Sequence, residues 1–243
     1  MKRIYADLHL CPNLKNLEQV SRMVNKALTL GYGLIAIATP LSHAGEIERL
    51  KDLFKEAKID LALRLDLKPR TPSELIRSLR IFRRKFEIIA VTCDSKNISR
   101  QAAKDRRVDL LSFPSPDFRR RFFDKAEAEL ASNALASLEI DMKPLLTLEG
   151  PAKIKFLSNL RREVVIAQDF HVPIVISSGL SDEMLMRKPR ELAALACLFD
   201  LDKVSAMEAL SKNGVAIVKR NREKLSSRFV APGIRVIRGG KDC

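Results

Sequence analysis

The stretch Asp60-Leu61-Ala62-Leu63-Arg64-Leu65-Asp66-Leu67-Lys68, followed closely by Thr71-Pro72-Ser73-Glu74, reads as one strand-to-helix unit. Four leucines alternate with Asp60, Ala62, Arg64, Asp66 and Lys68, the period of a strand with one apolar side. Thr71 to Glu74 then opens a helix, because a capping box coincides with proline at the first helical position. Leu75, Leu79, Phe82 and Phe86 continue as its apolar stripe. A strand buried on both sides in a parallel sheet would be apolar throughout. In a barrel, the leucines face the helices, and Arg64, Asp66 and Lys68 point inward or toward the mouth, where polar groups can be hydrated.

The unit repeats in both directions. Upstream, Arg3 to Leu8 reads as a strand, Asn16 as an N-cap with Gln19 three residues on, and Leu17, Val20, Val24, Ala27 and Leu28 as a helical stripe ended by Gly31. Leu34 to Ala38 is the second strand, and Ile47, Leu50, Phe54 and Ala57 mark the next helix. Downstream, Glu87 to Cys93, Val108 to Phe113, Asn133 to Ile140 and Pro173 to Ser177 read as strands, separated by helical segments near 96–106, 117–130 and 150–169. Two helices follow, roughly 189–199 and 203–212, with Asn213-Gly214 closing the second. Val215 to Lys219 reads either as an eighth strand or as a piece of tail. The alternation predicts an α/β fold, a distorted TIM-barrel-like β/α barrel of about seven parallel strands ringed by helices. It is divided into a single barrel domain, 1–218, and a basic C-terminal tail, 219–243, expected to be partly disordered.

The chain has 243 residues, 46% of them hydrophobic, enough for one core of barrel size. No apolar run approaches the roughly 20 residues that cross a bilayer, and the N-terminus has no signal-peptide pattern, so a cytoplasmic protein without a membrane partner is expected. Cys11, Cys93, Cys197 and Cys243 form no CxxC pair and read as reduced thiols.

Lys and Arg total 44 against 30 Asp and Glu, a net charge of +14, which attracts polyanions. The positive charge is not gathered on one amphipathic segment, which argues against a membrane surface and for nucleic acid. Aromatics are 5% and tryptophan is absent, so base stacking gives way to backbone and shape recognition of structured RNA. Arginine's planar fork suits bidentate phosphate contact. Arg83, Arg84, Arg106, Arg107, Arg187 and Arg190 are the first choices for RNA binding, with Lys68 and Arg70 next. Arg190 has an alternative role, hydrogen bonding to loop carbonyls.

Asp7-Leu8-His9-Leu10-Cys11 ends the first strand, and alternation puts Asp7, His9 and Cys11 on one side. His43, Cys93-Asp94 and Glu139 complete the sketch of a metal site. The segment resembles the D-L-H-x-H opening of the polymerase and histidinol phosphatase metallohydrolases, with Cys11 in place of the second histidine. Only three histidines are present, and His171 precedes a strand, toward the opposite face. A metal-dependent phosphoesterase using Asp7, His9, His43 and Glu139 is the competing reading. A protein-interaction scaffold meeting an acidic partner is a third. Ser177-Ser178-Gly179 reads equally as a phosphate cradle or a tight turn. No other catalytic motif is present, so no catalytic residue and no resident metal or cofactor is expected.

Val108-Asp109-Leu110-Leu111-Ser112-Phe113, Ala136-Ser137-Leu138-Glu139-Ile140, and Ile174-Val175-Ile176-Ser177-Ser178-Gly179 with Met186-Arg187-Lys188-Pro189-Arg190-Glu191-Leu192 together resemble the archaeal and eukaryotic ribonuclease P protein component 3 family. The resemblance implies a barrel related to those metallohydrolases that has lost most metal ligands. It also implies membership of a ribonucleoprotein that removes the 5′ leader of precursor tRNA. There the RNA subunit performs the Mg²⁺-dependent hydrolysis, and the implied partners are ribonuclease P RNA, precursor tRNA, protein component 2 and other protein subunits.

Overall fold

Seven strands, β1 (Tyr5–Leu10), β2 (Tyr32–Ala38), β3 (Asp60–Leu67), β4 (Ile88–Thr92), β5 (Leu110–Ser112), β6 (Ser137–Asp141) and β7 (Ile174–Ser177), pair in chain order, each parallel to the next. The computed structural model describes residues 3–39, 44–115, 117–231 and 234–236. Helices α1 (Leu17–Leu30), α2 (Ala44–Ala57), α3 (Pro72–Phe82), α4 (Lys96–Lys104), α5 (Lys125–Ala134), α6 (Lys143–Thr147), α7 (Gly150–Asp169), α8 (Pro189–Ala196) and α9 (Lys203–Ala209) accompany the strands, and α10 (Lys212–Leu225) follows. The fold is a nearly closed barrel of seven parallel strands ringed by helices.

Local chemistry sets the helix starts. The Asn16 carboxamide accepts from Gln19 N at 3.0 Å, and the Thr71 hydroxyl accepts from Glu74 N at 3.2 Å. The helix read over 117–130 is instead a 3₁₀ turn, Phe118–Arg120, and then α5, capped by Asp124. That helix runs to Ala134 and ends with Leu135 in a left-handed conformation (φ 63°), so β6 begins at Ser137 rather than Asn133.

Strand alternation builds two cores. Outward residues such as Leu65, Leu67, Ile89, Val91, Leu111, Leu138 and Ile176 pack under the helices. Inward residues include Ala6, Ala36, Ala62 and Ala90, joined by Leu8, Leu34, Ile88, Leu110 and Val175. Seven strands enclose a narrower interior than eight, and alanines suit it. On β3 the leucines face out, and Arg64 and Asp66 face in.

The seam between β1 and β7 closes only at the mouth end, where Leu10 bridges Leu180, Cys11 N donates to Leu180 O at 2.8 Å and Gly179 N donates to His9 O at 2.9 Å. At the other end the chain itself fills the gap: Ala6 N donates to Leu210 O at 2.9 Å, and the Asn213 amide donates to Ile174 O at 2.8 Å. From there α10 closes the barrel floor, inserting Ile217 and Val218 into the interior core. The eighth-strand and tail readings of Val215 to Lys219 are thus corrected, since the segment is helical. Asn213 and Gly214 open α10 instead of closing α9. A Cβ on Gly214 would lie 3.2 Å from Leu8 Cγ and Cδ1, so only glycine lets the helix come this close without the neighbour giving way. Of the tail region, 219–225 belong to α10, β8 (Phe229–Ala231) and β9 (Ile234–Arg235) pair antiparallel, and 237–243 lie outside the described residues.

Candidate nucleic-acid interface

The barrel mouth holds a cleft of about 390 Å³ lined in part by His9, Cys11, Arg64, Asp66, Lys68, Asp94 and Asp141. Its chemistry is set by Arg64, whose side chain is 1% exposed. The guanidinium grips Glu139 through Nη1 at 2.5 Å and Nη2 at 2.7 Å, donates from Nε to Asp66 at 2.7 Å and from Nη1 to Leu8 O at 2.7 Å. Ser177 Oγ donates to the same Glu139 carboxylate at 2.8 Å. His9 lies beside this fork, with Nδ1 2.9 Å from Asp141 and Nε2 3.2 Å from Asp66. Burial and the Arg64 charge oppose protonation of the ring, but the Asp141 and Asp66 carboxylates outweigh them and raise its pKa well above the ordinary histidine value. Burial alone would raise the Asp66 pKa; Arg64 and His9 overcome it and hold the carboxyl well below the usual range.

Of the predicted constellation of Asp7, His9, His43 and Glu139, the described members do not all come together, because Asp7 is kept apart from the mouth. Opposite β2, the three-residue step from Asp7 to Leu10 matches the two-residue step from Ile35 to Ile37, so one extra residue bulges in β1. That bulge breaks the alternation. His9 turns into the mouth, while Asp7 stays on the outer side in register with Ile35, its Oδ1 accepting from His9 N at 3.1 Å and Ser178 N at 2.9 Å. Cys11 shares the mouth with His9, Cys93 is buried under the helices, and His43 lies outside the described residues.

Among the described residues, His9, Glu139 and Asp141 do place ligand-type atoms within 4.8 Å of one another. A guanidinium already bridges Glu139 and Asp66, and both ring nitrogens of His9 face carboxylates. This donor set fits an internal arginine rather than a divalent ion. The phosphate-cradle reading of Ser177-Ser178-Gly179 fails for a similar reason: Ser178 N is taken by Asp7 and Gly179 N by His9 O, leaving a tight turn that fastens β7 to β1.

The eight predicted RNA-binding cations fall into two groups. Arg83 is half-buried, ion-paired to Asp109 at 2.5 Å, and donates to the carbonyls of Phe86, Glu87 and Arg107. Arg107 forms a bidentate pair with Asp105, and Arg187 donates to the carbonyls of Met184 and Met186. Lys68, Arg70, Arg84, Arg106 and Arg190 are exposed. Of these, Lys68 lies at the mouth, whereas Arg84 and Arg106 lie at the opposite end, ahead of β4 and β5. From the Arg119-Arg120-Arg121 cluster, Arg121 is buried in a bidentate pair with Glu163.

Sequence reasoning missed the contribution of α10 to that opposite end. Asp109, 1% exposed, accepts from Arg220 at 3.0 Å and from the Asn221 amide at 2.8 Å in addition to Arg83. Arg222 grips Asp60 at 2.6 and 2.8 Å and also pairs with Glu87. Lys224, exposed on the same helix, feels burial and then the charges of Arg220, Arg83 and Arg106, which together lower its pKa despite Asp109. The sequence signal was the density of cations from 219 onward; its helical placement was hidden by Asn213-Gly214.

Known proteins resemble this chain in fold and, at low identity, in sequence. A solved chain in an archaeal ribonuclease P with mature tRNA superposes with a TM-score of 0.83 at 20% identity, covering 98% of this chain and 100% of that one. A putative prolidase from Bifidobacterium longum shares the fold more distantly, with a TM-score of 0.59 at 14% identity over 91% of this chain and 70% of its own. Ribonuclease P protein component 3 of Methanosarcina barkeri is 28% identical over 235 residues, 96% of this chain and 95% of the relative. The protein of the same name from Methanocaldococcus jannaschii is 28% identical over 147 residues, 60% and 63% of the two chains. The family described as RNase P subunit p30 matches residues 4–226, so the chain belongs to that family.

Proposed function

We propose that this chain is a noncatalytic protein subunit of ribonuclease P, the ribonucleoprotein endonuclease that removes the 5′ leader of precursor tRNA. The observation that carries the reading is the family match from residue 4 to residue 226, which spans the whole barrel and its floor helix. The mouth supports it: the side chains that an enzyme of this architecture would use are bonded to one another through Arg64 and His9. The partners are ribonuclease P RNA and, through the complex, precursor tRNA. Protein component 2 is the subunit proposed to dock beside it. The chain itself needs no cofactor, and Mg²⁺ serves the RNA. No helix among the described residues is long and apolar enough to cross a membrane, in keeping with the cytoplasmic setting proposed for the complex.

Exposed cations would hold RNA by phosphate contact, with arginine supplying paired hydrogen bonds. Reconstitution tests the assignment. Leaving this chain out of a mixture of ribonuclease P RNA and the other protein subunits should reduce leader cleavage at low Mg²⁺. Unchanged cleavage overturns the reading, as does phosphoester hydrolysis by the purified chain with Mn²⁺ or Zn²⁺ that His9→Ala abolishes.

A further inference from the structure

The two ends of the barrel differ in how their carboxylates are used. Within the mouth cleft, Asp66, Asp94, Glu139 and Asp141 surround Arg64, His9 and Lys68, so the acids and bases of the cleft are nearly matched. At the floor end, Asp60, Glu87, Asp105 and Asp109 are each bonded to arginine: Asp60 and Glu87 to Arg222, Asp105 to Arg107, and Asp109 to both Arg83 and Arg220. These four carboxylates therefore act as anchors, holding four arginines in fixed positions. Arg84, Arg106 and Lys224 are exposed beyond them. Lys224 follows Arg220 by one helical turn on α10, and Arg220 shares the Asp109 carboxylate with Arg83. Crowded like charges favour an anion in the space between them. Cores of protein–protein interfaces are depleted in lysine, which favours a phosphate backbone over an acidic protein.

We infer that the floor end of the barrel, crossed by α10, is the phosphate-gripping face of this protein, with Arg84, Arg106 and Lys224 contacting the backbone of structured RNA. This rests on the ribonuclease P reading and names the face that serves it. The face is opposite the mouth, where an enzyme built on this fold places its chemistry. Arg83 and Arg220 are positioning residues, holding the α3–β4 turn and α10 to one carboxylate so that the exposed cations keep a fixed spacing.

The test measures binding of the full chain to ribonuclease P RNA across a salt series. Each phosphate contact contributes about 0.7 to 0.9 to the slope of log K against log salt, so Arg84→Ala/Arg106→Ala/Lys224→Ala should lower its magnitude by about 2 to 3. All three side chains are exposed, so thermal unfolding of the triple variant should match that of the parent. The pair Lys68→Ala/Arg70→Ala, at the mouth, should lower the slope by less. A larger loss from the mouth pair overturns the inference and leaves the ribonuclease P reading standing. So does a triple variant with an unchanged slope, or one that keeps its RNA affinity and loses a protein subunit instead. A parent chain that neither binds this RNA nor supports cleavage overturns the ribonuclease P reading itself.

Discussion

Arg64 shows how one residue fixes the character of a site. Its guanidinium is buried with Glu139, whose side chain is 0% exposed, and reaches two further acceptors. Arg64→Ala leaves Glu139 without its charge partner, and the expected loss is about 3–5 kcal/mol in urea unfolding. A loss below about 1 kcal/mol would show that the pair does not hold the mouth together. Glu127 gives a second prediction, on pH. Its side chain is fully buried, Oε2 accepts from Arg100 at 3.0 Å, and Oε1 has no partner among the described residues. Burial raises its pKa from 4.5 to about 7, against the pull of Ser99 and Arg100. A group raised on folding contributes stability that is complete below its unfolded value and lost as pH rises through its folded value. The protein should therefore lose stability between pH 4.5 and 7 through this residue, and Glu127→Gln should flatten the loss. Urea midpoints at pH 5 and pH 8 decide it: an equal drop in parent and variant sinks the assignment. Alternation alone placed Arg64 and Asp66 inward, because nothing interrupts the period of β3. Their partners were not legible, since Glu139 lies 75 positions from Arg64 and meets it only once β6 is in the sheet.

At the scale of elements, local signals located the strands and most helix starts, while two local signals pointed the wrong way. The Asp7 to Cys11 stretch keeps a clean alternation, and the bulge that redirects His9 is a property of pairing with β2, which no window within β1 contains. Asn213-Gly214 has the look of a helix stop, yet Asn213 reaches Ile174 O and Gly214 is required by the approach of α10 to Leu8. Gly214→Val tests that account. Side-chain atoms there meet Leu8 and Ala6 in the barrel interior, so a loss of about 1–3 kcal/mol in urea unfolding is expected. Stability equal to the parent would mean that the floor helix has room to move outward. The arginines divide in the same manner: which ones anchor and which ones remain exposed depends on carboxylates brought from elsewhere in the chain, as when Arg220 and Arg83 meet at Asp109.

For the whole molecule, a net charge of +14 argues for a polyanionic partner and says nothing of where it docks. The floor end acquires its excess of cations because α10 carries Arg220, Arg222 and Lys224 across strand starts that supply only enough carboxylate to anchor part of them. The route by which the barrel shuts bears on synthesis. Its first strand is completed by residues 179–180 at one end and by Leu210 and α10 at the other. A ribosome that has delivered all seven strands has therefore made a ring that cannot yet seal. Residue 6 waits, with its amide open to water, until residue 210 has been translated. Contacts between such distant parts of a sequence form late, and the half-made barrel is the interval in which this chain is most exposed to aggregation and proteolysis.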